Sequence, residues 1–219
     1  MKHEKIVHHR ANWVRPPGPV APGLKIGLLG GSFNPAHEGH LHVAETALKR
    51  LGLDYVWWLV TPHNPLKPTV GLAALPDRIE QAKEIARHPR IVVVDLEHAL
   101  GTRYTIDTLK ALNRRFPRTK FIWLMGSDNL AGFQNWHRWP EIVQQVPIAV
   151  IMRPGSVMAP LYSHAIHRFA ARRLRDGRIC RSEAPAITVV DGKRNAQSSS
   201  AIRAASESDV ALVHAIPPC

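Results

Sequence analysis

The sequence has little cysteine, and its two cysteines lie far apart. Cys180 and Cys219 form no C-x-x-C pair, which excludes a zinc ribbon and a thioredoxin-type redox motif. Two cysteines in a chain of 219 residues do not indicate a disulfide framework. We therefore expect a reducing compartment and a cytoplasmic protein.

Long apolar runs are also missing. The longest, such as residues 146–152, have the length of a strand and are too short to cross a bilayer, so no membrane partner is expected. The N-terminus lacks the apolar run of a signal peptide. Residues 1–23 are instead basic and end in closely spaced proline and glycine. Because such composition does not build a core, we expect a flexible leader over residues 1–23 and a single domain over residues 24–219.

Acidic side chains are scarce compared with basic ones. The chain has 29 Lys and Arg against 17 Asp and Glu, a formal net charge of +12. This excess favours polyanionic partners such as nucleic acid, an anionic membrane or phosphorylated small molecules. Basic clusters lie in the first 15 residues and between Arg168 and Arg181. Solvated surface is the simplest interpretation of both clusters.

Several common glycine and histidine motifs are absent. Gly192-Lys193 is followed by Arg194, so there is no Walker A motif, and G-x-G-x-x-G does not occur. In residues 37–40, HEGH, the second histidine comes one residue too early for the zinc motif H-E-x-x-H. Ser32 lacks the second glycine of G-x-S-x-G.

Apolar runs and helical patterns alternate along the rest of the chain. Strands are predicted at 25–29, 55–60, 91–94, 121–125, 147–152 and 187–190. Helices are predicted at 39–52, 77–87, 105–116, 141–145, 163–175 and from 199, with Thr105 as a possible cap. This order indicates an α/β protein with a Rossmann-like, doubly wound parallel sheet. In such sheets the ligand lies beyond the carboxyl ends of the strands.

Residues 30–40, GGSFNPAHEGH, follow the first predicted strand. Gly30 and Gly31 would let backbone amides approach a phosphate, and the following helix would direct its N-terminus to the same place. His37 and His40 are three residues apart and would share one face. The segment therefore predicts an anion site with two imidazole donors.

This segment resembles the G-G-[ST]-F-[DN]-P-x-H-x-G-H signature of the nucleotidylyltransferase superfamily. Asn34 stands where many members carry Asp, which puts a charge-dependent role of that position in doubt. Residues 198–203, SSSAIR, resemble the second signature of the superfamily, with Ser200 in place of the usual Thr. Hydroxyls and an arginine at a helix N-terminus can clamp phosphate, although the serines alone would equally suit a helix cap.

The middle of the chain is similar to the nicotinate mononucleotide adenylyltransferases. The similar segments are residues 61–67, 103–109, 121–139 and 151–155, and the resemblance spans about residues 24–206. It implies that Trp136 stacks on the nicotinate ring and that the amides of Thr105 and His137 hold its carboxylate. Core packing is the alternative interpretation of Trp136. Asp128 would contact the adenosine of ATP, or would cap a helix.

The resemblance implies transfer of the adenylyl group of ATP to nicotinate mononucleotide, giving deamido-NAD and pyrophosphate. The implied catalytic residues are His37, His40, Lys67 and Arg203. The implied ATP contacts are Gly30, Gly31, Ser32, Phe33, His40, Gly126, Asp128, Ser199, Ser200 and Arg203. The implied acceptor contacts are Lys67, Tyr104, Thr105, Trp136, His137 and Arg153. Mg²⁺ would bridge the phosphates with mostly water as its other ligands, and no protein metal cage is visible.

Two other functions are compatible with the sequence. A pantetheine-phosphate adenylyltransferase would share the ATP site, but that family is usually shorter and has T-x-G-H where this chain has His37. An RNA-binding protein on the same fold would use the basic charge. Few aromatic residues interleave with the arginine clusters, so a nucleic-acid partner is not favoured. The sequence does not specify an oligomeric state.

Overall fold

The computed structural model describes residues 16–62, 71–152, 167–169 and 172–191. The strands are β1 (Lys25–Gly31), β2 (Tyr55–Val60), β3 (Ile91–Val94), β4 (Lys120–Gly126), β5 (Ile148–Ile151), β6 (Arg173–Leu174) and β7 (Ile187–Val190). The helices are α1 (Glu38–Leu51), α2 (Leu75–Ile85), α3 (Leu96–Leu100), α4 (Thr105–Arg115), α5 (Ser127–Leu130) and α6 (Trp139–Gln145). Two 3-10 helices cover Phe133–Asn135 and Asp176–Arg181.

The described strands form one parallel sheet in the order β3-β2-β1-β4-β5-β7-β6. The chain first moves outward from β1 to β3 and then returns to β4 on the other side of β1. The order of strands therefore reverses between β1 and β4, which is the place where open α/β sheets bind ligands. The predicted doubly wound fold is confirmed.

Both faces of the sheet are buried, because successive side chains of a strand point to opposite faces. Trp57 and Trp58 in β2 are both fully buried, and each belongs to a different core. α1 and α2 cover the face of Trp58, while α3, α4 and α6 cover the face of Trp57. Burial on both sides explains why the central strands are continuously apolar rather than alternating.

The predicted end of α1 at a glycine is confirmed. Gly52 follows the helix with φ of 66°, a left-handed conformation that favours glycine. The sequence also predicted the end of this helix at Gly52, from the apolar spacing that precedes it.

Several local predictions are wrong. α3 was not predicted, and β1 continues through Gly31 instead of ending in a glycine turn. Thr105 is the first residue of α4 rather than its cap, and Tyr104 precedes it without a side-chain capping bond. The basic helix predicted over residues 163–175 does not continue to its end, because Arg173–Leu174 pairs with β7. This strand of two residues is defined by its pairing with β7, and no apolar pattern in the sequence predicts it.

The proline- and glycine-rich segment contacts the sheet before the predicted start of folding at Leu24. The amide of Gly23 donates to the carbonyl of Arg118 at 2.8 Å, and the hydroxyl of Thr119 donates to the carbonyl of Ala21 at 3.1 Å. Gly18 lies so close to Trp57 that a Cβ there would be 2.8 Å from the indole nitrogen. Residues 1–15 lie outside the described residues, and a single domain over the remaining chain stays a proposal.

Candidate active site

The start of α1 carries both histidines of the H-x-G-H segment. His37 is the N-cap residue, and its Nδ1 accepts a hydrogen bond from the amide of Gly39 at 3.0 Å. In return, the amide of His37 donates to Nδ1 of His40 at 3.3 Å. The two imidazoles form a reciprocal capping box, in the positions usually held by Ser or Thr and by Glu or Gln. Their ring centroids are consequently held 4.0 Å apart.

These capping bonds also select the tautomer of each ring. In a neutral imidazole, the nitrogen that accepts a hydrogen bond carries no proton, so the proton of His37 and of His40 is on Nε2. Each ring therefore presents Nε2–H as its donor. Two adjacent N–H donors beside the positive end of a helix dipole suit a phosphate oxygen.

Phe33 is buried beneath the histidines. Its ring stacks on Trp58 at 5.1 Å between centroids and lies 4.6 Å from the ring of His40. The side chain is 1% exposed, so a contact between Phe33 and a nucleotide would have to come from its backbone. Its φ of 46° is in the left-handed region, which is unusual for a bulky residue and indicates a strained turn.

The two glycines at the end of β1 have different surroundings. A Cβ on Gly30 would lie 2.5 Å from the indole of Trp123, whereas a Cβ on Gly31 would make an ordinary contact of 3.4 Å with Phe33. The interpretation of Gly30 as a point of close phosphate approach is therefore incomplete. Trp123 packs so closely against β1 that position 30 has no room for a side chain. Ser32 follows in the turn between β1 and α1.

The end of β4 lies beside the end of β1. Gly126 is the last residue of β4, and α5 begins immediately after it. Asp128 is exposed in the first turn of α5. The interpretation of Asp128 as a helix cap is wrong, because the N-cap position is Gly126 and no side chain caps this helix. Asp128 therefore lies at the same edge of the sheet as the histidines, where strand order reverses.

A second cluster gathers residues from the start of α4 and from the turn before α6. The rings of Tyr104 and His137 are stacked at 4.1 Å between centroids. This contact brings His137 close to Thr105, whose amide is at the start of α4 and has no acceptor within the helix. Trp136 is partly buried and packs edge-to-face against Trp123 at 5.9 Å. Both interpretations of Trp136 are therefore compatible with its position, since one edge packs on the core.

Ion pairs hold the two halves of this second cluster together. Glu141 of α6 accepts hydrogen bonds from Arg138 at 2.6 Å and from Lys110 of α4 at 2.9 Å. These bonds lower the pKa of the partly exposed Glu141 carboxyl to about 2. Because Lys110 belongs to α4 and Arg138 to the turn before α6, Glu141 joins the elements that carry Thr105 and His137.

Glu97 is a buried carboxyl near the end of β2. It is 6% exposed in α3, and the hydroxyl of Thr61 donates a hydrogen bond to it. Burial raises the pKa of Glu97 to about 6, and the bond from Thr61 opposes this rise. A titratable group near neutral pH therefore lies at the carboxyl edge of the sheet.

Comparison with known proteins agrees with this geometry. A family model described as cytidylyltransferase-like matches residues 28–205. The chain is 52% identical over 192 residues to a "Probable nicotinate-nucleotide adenylyltransferase" of Parvibaculum lavamentivorans, covering 84% of this chain and 93% of the relative. It is 49% identical over 183 residues to a protein of the same name from Methylorubrum extorquens strain PA1, covering 82% of this chain and 99% of the relative.

The chain belongs to the nicotinate-nucleotide adenylyltransferase family. The family that the sequence resembled is thereby confirmed.

Solved structures independently agree with the fold of a nicotinate-nucleotide adenylyltransferase. The Plasmodium falciparum nicotinic acid mononucleotide adenylyltransferase complexed with NaAD superposes with a TM-score of 0.64 at 19% identity, covering 83% of each chain. The same enzyme complexed with APC has a TM-score of 0.62 at 18% identity.

Some residues that the family resemblance implies for this site lie outside the described residues. They are Lys67, Arg153, Ser199, Ser200 and Arg203. The roles of these residues stay predictions. In the part of the chain that the structure describes, no helix has the length and apolar composition needed to cross a membrane.

Two buried charged residues, Glu97 and Arg78, were not predicted from the sequence. Arg78 did carry a signal. Leu75, Arg78, Ile79 and Ala82 are spaced as one face of a helix, so the arginine lies on the apolar stripe of α2. A charged residue within such a stripe indicates a buried polar contact. Glu97 had no comparable signal, because α3 itself was not predicted.

Proposed function

We propose that this chain transfers the adenylyl group of ATP to nicotinate mononucleotide, forming deamido-NAD and releasing pyrophosphate. The observation that carries the proposal is the paired arrangement of His37 and His40 at the start of α1, beside the point where strand order reverses. The relatives with about 50% identity support the same activity.

In the proposed reaction, a phosphate oxygen of the acceptor attacks the α-phosphorus of ATP. A new phosphorus–oxygen bond forms, and the bond to the pyrophosphate leaving group breaks. The nucleophile belongs to the substrate, so the protein supplies position and charge stabilisation rather than a Ser or Cys nucleophile. We assign Nε2–H of His37 and His40 to oxygens of the triphosphate. The turn beneath the triphosphate would be lined by Gly30, Gly31, Ser32 and the backbone of Phe33. The adenosine would be contacted by Gly126 and Asp128.

We assign the acceptor to the Tyr104–His137 cluster. The amides of Thr105 and His137 would hold the nicotinate carboxylate, with Trp136 against the ring. An amide donor suits a carboxylate better than the NH₂ of a carboxamide, which is itself a donor. The sequence resemblance adds five further contacts to this proposal. Arg153 and Lys67 would contact the acceptor, and Ser199, Ser200 and Arg203 would contact ATP.

Mg²⁺ is the proposed companion of ATP. Within the described residues, no group of three His, Cys, Asp or Glu side chains could hold a metal ion. The ion would be held mainly by phosphate oxygens and water, as is usual for Mg²⁺ with nucleotides. It would neutralise phosphate charge.

The decisive experiment measures pyrophosphate release from ATP and Mg²⁺ with three acceptors in parallel: nicotinate mononucleotide, nicotinamide mononucleotide and phosphopantetheine. We expect strong turnover with the nicotinate acceptor and much weaker turnover with the other two. Preference for phosphopantetheine would retain the ATP site and discard the acceptor assignment. No turnover with any acceptor would contradict the proposed enzyme.

A further inference from the structure

Arg78 is a buried cation at the carboxyl edge of β1 and β2. Its side chain is 1% exposed, and within the described residues its guanidinium donates four hydrogen bonds, all to main-chain carbonyls. Nη1 donates to Ser32 at 2.6 Å and to Thr61 at 2.8 Å. Nη2 donates to Pro62 at 3.0 Å, and Nε donates to Ala73 at 2.9 Å. One side chain therefore joins the turn after β1, the end of β2 and the segment before α2.

No carboxylate among the described residues forms an ion pair with Arg78. Burial lowers the pKa of its guanidinium, but an arginine remains protonated in proteins. The described partners of this charge are carbonyl dipoles. A planar fork with five N–H donors is the side chain that can reach carbonyls in several directions at once.

Asn34 also joins the turn after β1 to the segment before α2. Its Nδ2 donates to the carbonyl of Gly71 at 2.8 Å, and its Oδ1 accepts from the amide of Ala73 at 3.2 Å. Both halves of the amide are therefore used. An aspartate at this position could still accept from Ala73, but its carboxylate could not donate to Gly71. This difference gives a physical meaning to the departure from the more usual Asp.

We infer that Arg78 and Asn34 are positioning residues that hold the turn before His37 in register with the end of β2 and the segment leading into α2. The inference rests on the proposed function, because the turn forms part of the proposed binding site for the triphosphate. Pro62 and Gly71, whose carbonyls accept from Arg78 and Asn34, come directly before and after the stretch of sequence that contains Lys67. Register between the turn and these segments matters because a displacement of about 1 Å can reduce a reaction rate by about 10²-fold.

The first test compares Arg78→Met and Arg78→Lys with Arg90→Met. Arg90 is the control for the loss of an arginine that bonds to a main-chain carbonyl, since it is exposed and donates to the carbonyl of Leu53 at 3.1 Å at the opposite edge of the sheet. We measure kcat, the KM for ATP and the affinity for a non-hydrolysable ATP analogue, all below the unfolding temperature of each variant. In Arg78→Met, we expect kcat to fall by about 10²-fold, the analogue to bind more weakly, and KM to change less than kcat.

Arg78→Lys separates charge from geometry. A lysine keeps the charge but lacks the planar fork, so most of the loss in kcat should remain. Full recovery by lysine, or an unchanged kcat in folded Arg78→Met, would overturn the inference. If the unmodified chain releases no pyrophosphate, the proposed function fails. The affinity for the ATP analogue then tests the positioning role of Arg78 separately. Weaker binding by Arg78→Met but not by Arg90→Met supports positioning of the turn, and equal binding overturns it.

Asn34 provides a milder second test, because its substitution removes the donor of one main-chain carbonyl, whereas Arg78→Met removes the donor of four. We expect kcat to decrease in the order Asn, Asp, Ala, because Asn34→Asp loses one of the two bonds and Asn34→Ala loses both. Circular dichroism confirms that both variants are folded. Equal kcat in all three proteins would remove Asn34 from the inference.

Discussion

At the scale of single residues, the position of Glu97 in the fold changes its chemistry. The ordinary pKa of its carboxyl is 4.5, and burial raises the pKa to about 6 in the folded protein. The folded state therefore favours the neutral acid, and the charged form costs free energy. Below pH 4.5 the group is protonated in both states and costs nothing. Stability is lost as pH rises from 4.5 to 6, and the loss persists above 6.

We predict that Glu97→Gln removes this pH dependence. One pH unit between the two pKa values corresponds to about 1.4 kcal/mol, so the variant should be more stable at pH 7 by up to about 2 kcal/mol and equally stable near pH 4. Glutamine can still accept the hydrogen bond from Thr61. Urea unfolding of both proteins at several pH values measures the difference. Glu80→Gln is the control, because Glu80 is exposed and pairs with Lys83. A stability difference that does not vary with pH would contradict the prediction.

The position of a residue is predictable from the sequence where its motif is local. His37 and His40 were expected on one face near a helix N-terminus, and the structure places them in one capping box. The packing requirement at Gly30 was not predicted, because it comes from Trp123, which is 93 residues away in the chain. Local spacing contains no information about such a contact.

At the scale of elements, the N-terminus of α1 combines helix capping with the proposed phosphate contacts. The capping bonds use Nδ1 of His37 and of His40, and the proposed phosphate contacts would use Nε2–H. Under the proposed function, the same two rings would serve stability through one nitrogen and chemistry through the other. Substitution of His40 tests both contributions.

We predict that His40→Gln and His40→Ala both lose turnover, the alanine variant more, and that they differ in stability. Glutamine at the third helical position can reach back to the N-cap amide, as in an ordinary capping box, whereas alanine cannot. Alanine has no donor in place of Nε2–H, and removal of one such donor typically lowers kcat by about 10²-fold or more. The NH₂ of glutamine is itself a donor, so the loss of kcat in His40→Gln should be smaller. Thermal unfolding should show the glutamine variant to be more stable than the alanine variant, by about 1 kcal/mol.

Steady-state kinetics and binding of an ATP analogue complete this comparison. ATP-analogue affinity should fall less than kcat in both variants, because the donor is assigned to the transition state. Equal losses of affinity and kcat would instead assign His40 to ground-state binding.

At the scale of the whole molecule, one sheet is shared by two cores. Trp57 and Trp123 lie in the core on one face, and Trp58 lies in the core on the other. Each central strand contributes alternate residues to both cores. Neither core can therefore lose its packing without exposing strands that the other core requires.

We predict that the protein unfolds in a single cooperative transition. Trp57→Phe and Trp58→Phe each remove a reporter from one face and leave the reporters on the other. In both variants, the urea midpoints measured by tryptophan fluorescence and by far-ultraviolet circular dichroism should coincide. Two separated midpoints in either variant would show that the faces unfold independently.

The sequence by itself determined the α/β class, the parallel sheet, the strands β2, β3 and β7, and the position of the H-x-G-H segment at the start of a helix. These features depend on patterns within about a dozen residues: continuous apolar runs, helical spacing and a local motif. The bounds of β2, β3 and β7 match the prediction because each is an uninterrupted apolar run, although β3 and β7 are only partly buried. The fully buried β5 was predicted one residue too long at each end.

The tertiary structure alone decided which distant residues meet. Arg78 bonds to Ser32, 46 positions away, and Tyr104 stacks on His137 across the gap between α4 and α6. β6 exists as a strand through its pairing with β7. The physical reason is common to all three: hydrogen bonds and ring contacts depend on distance in space, and chain order between separate segments does not specify that distance.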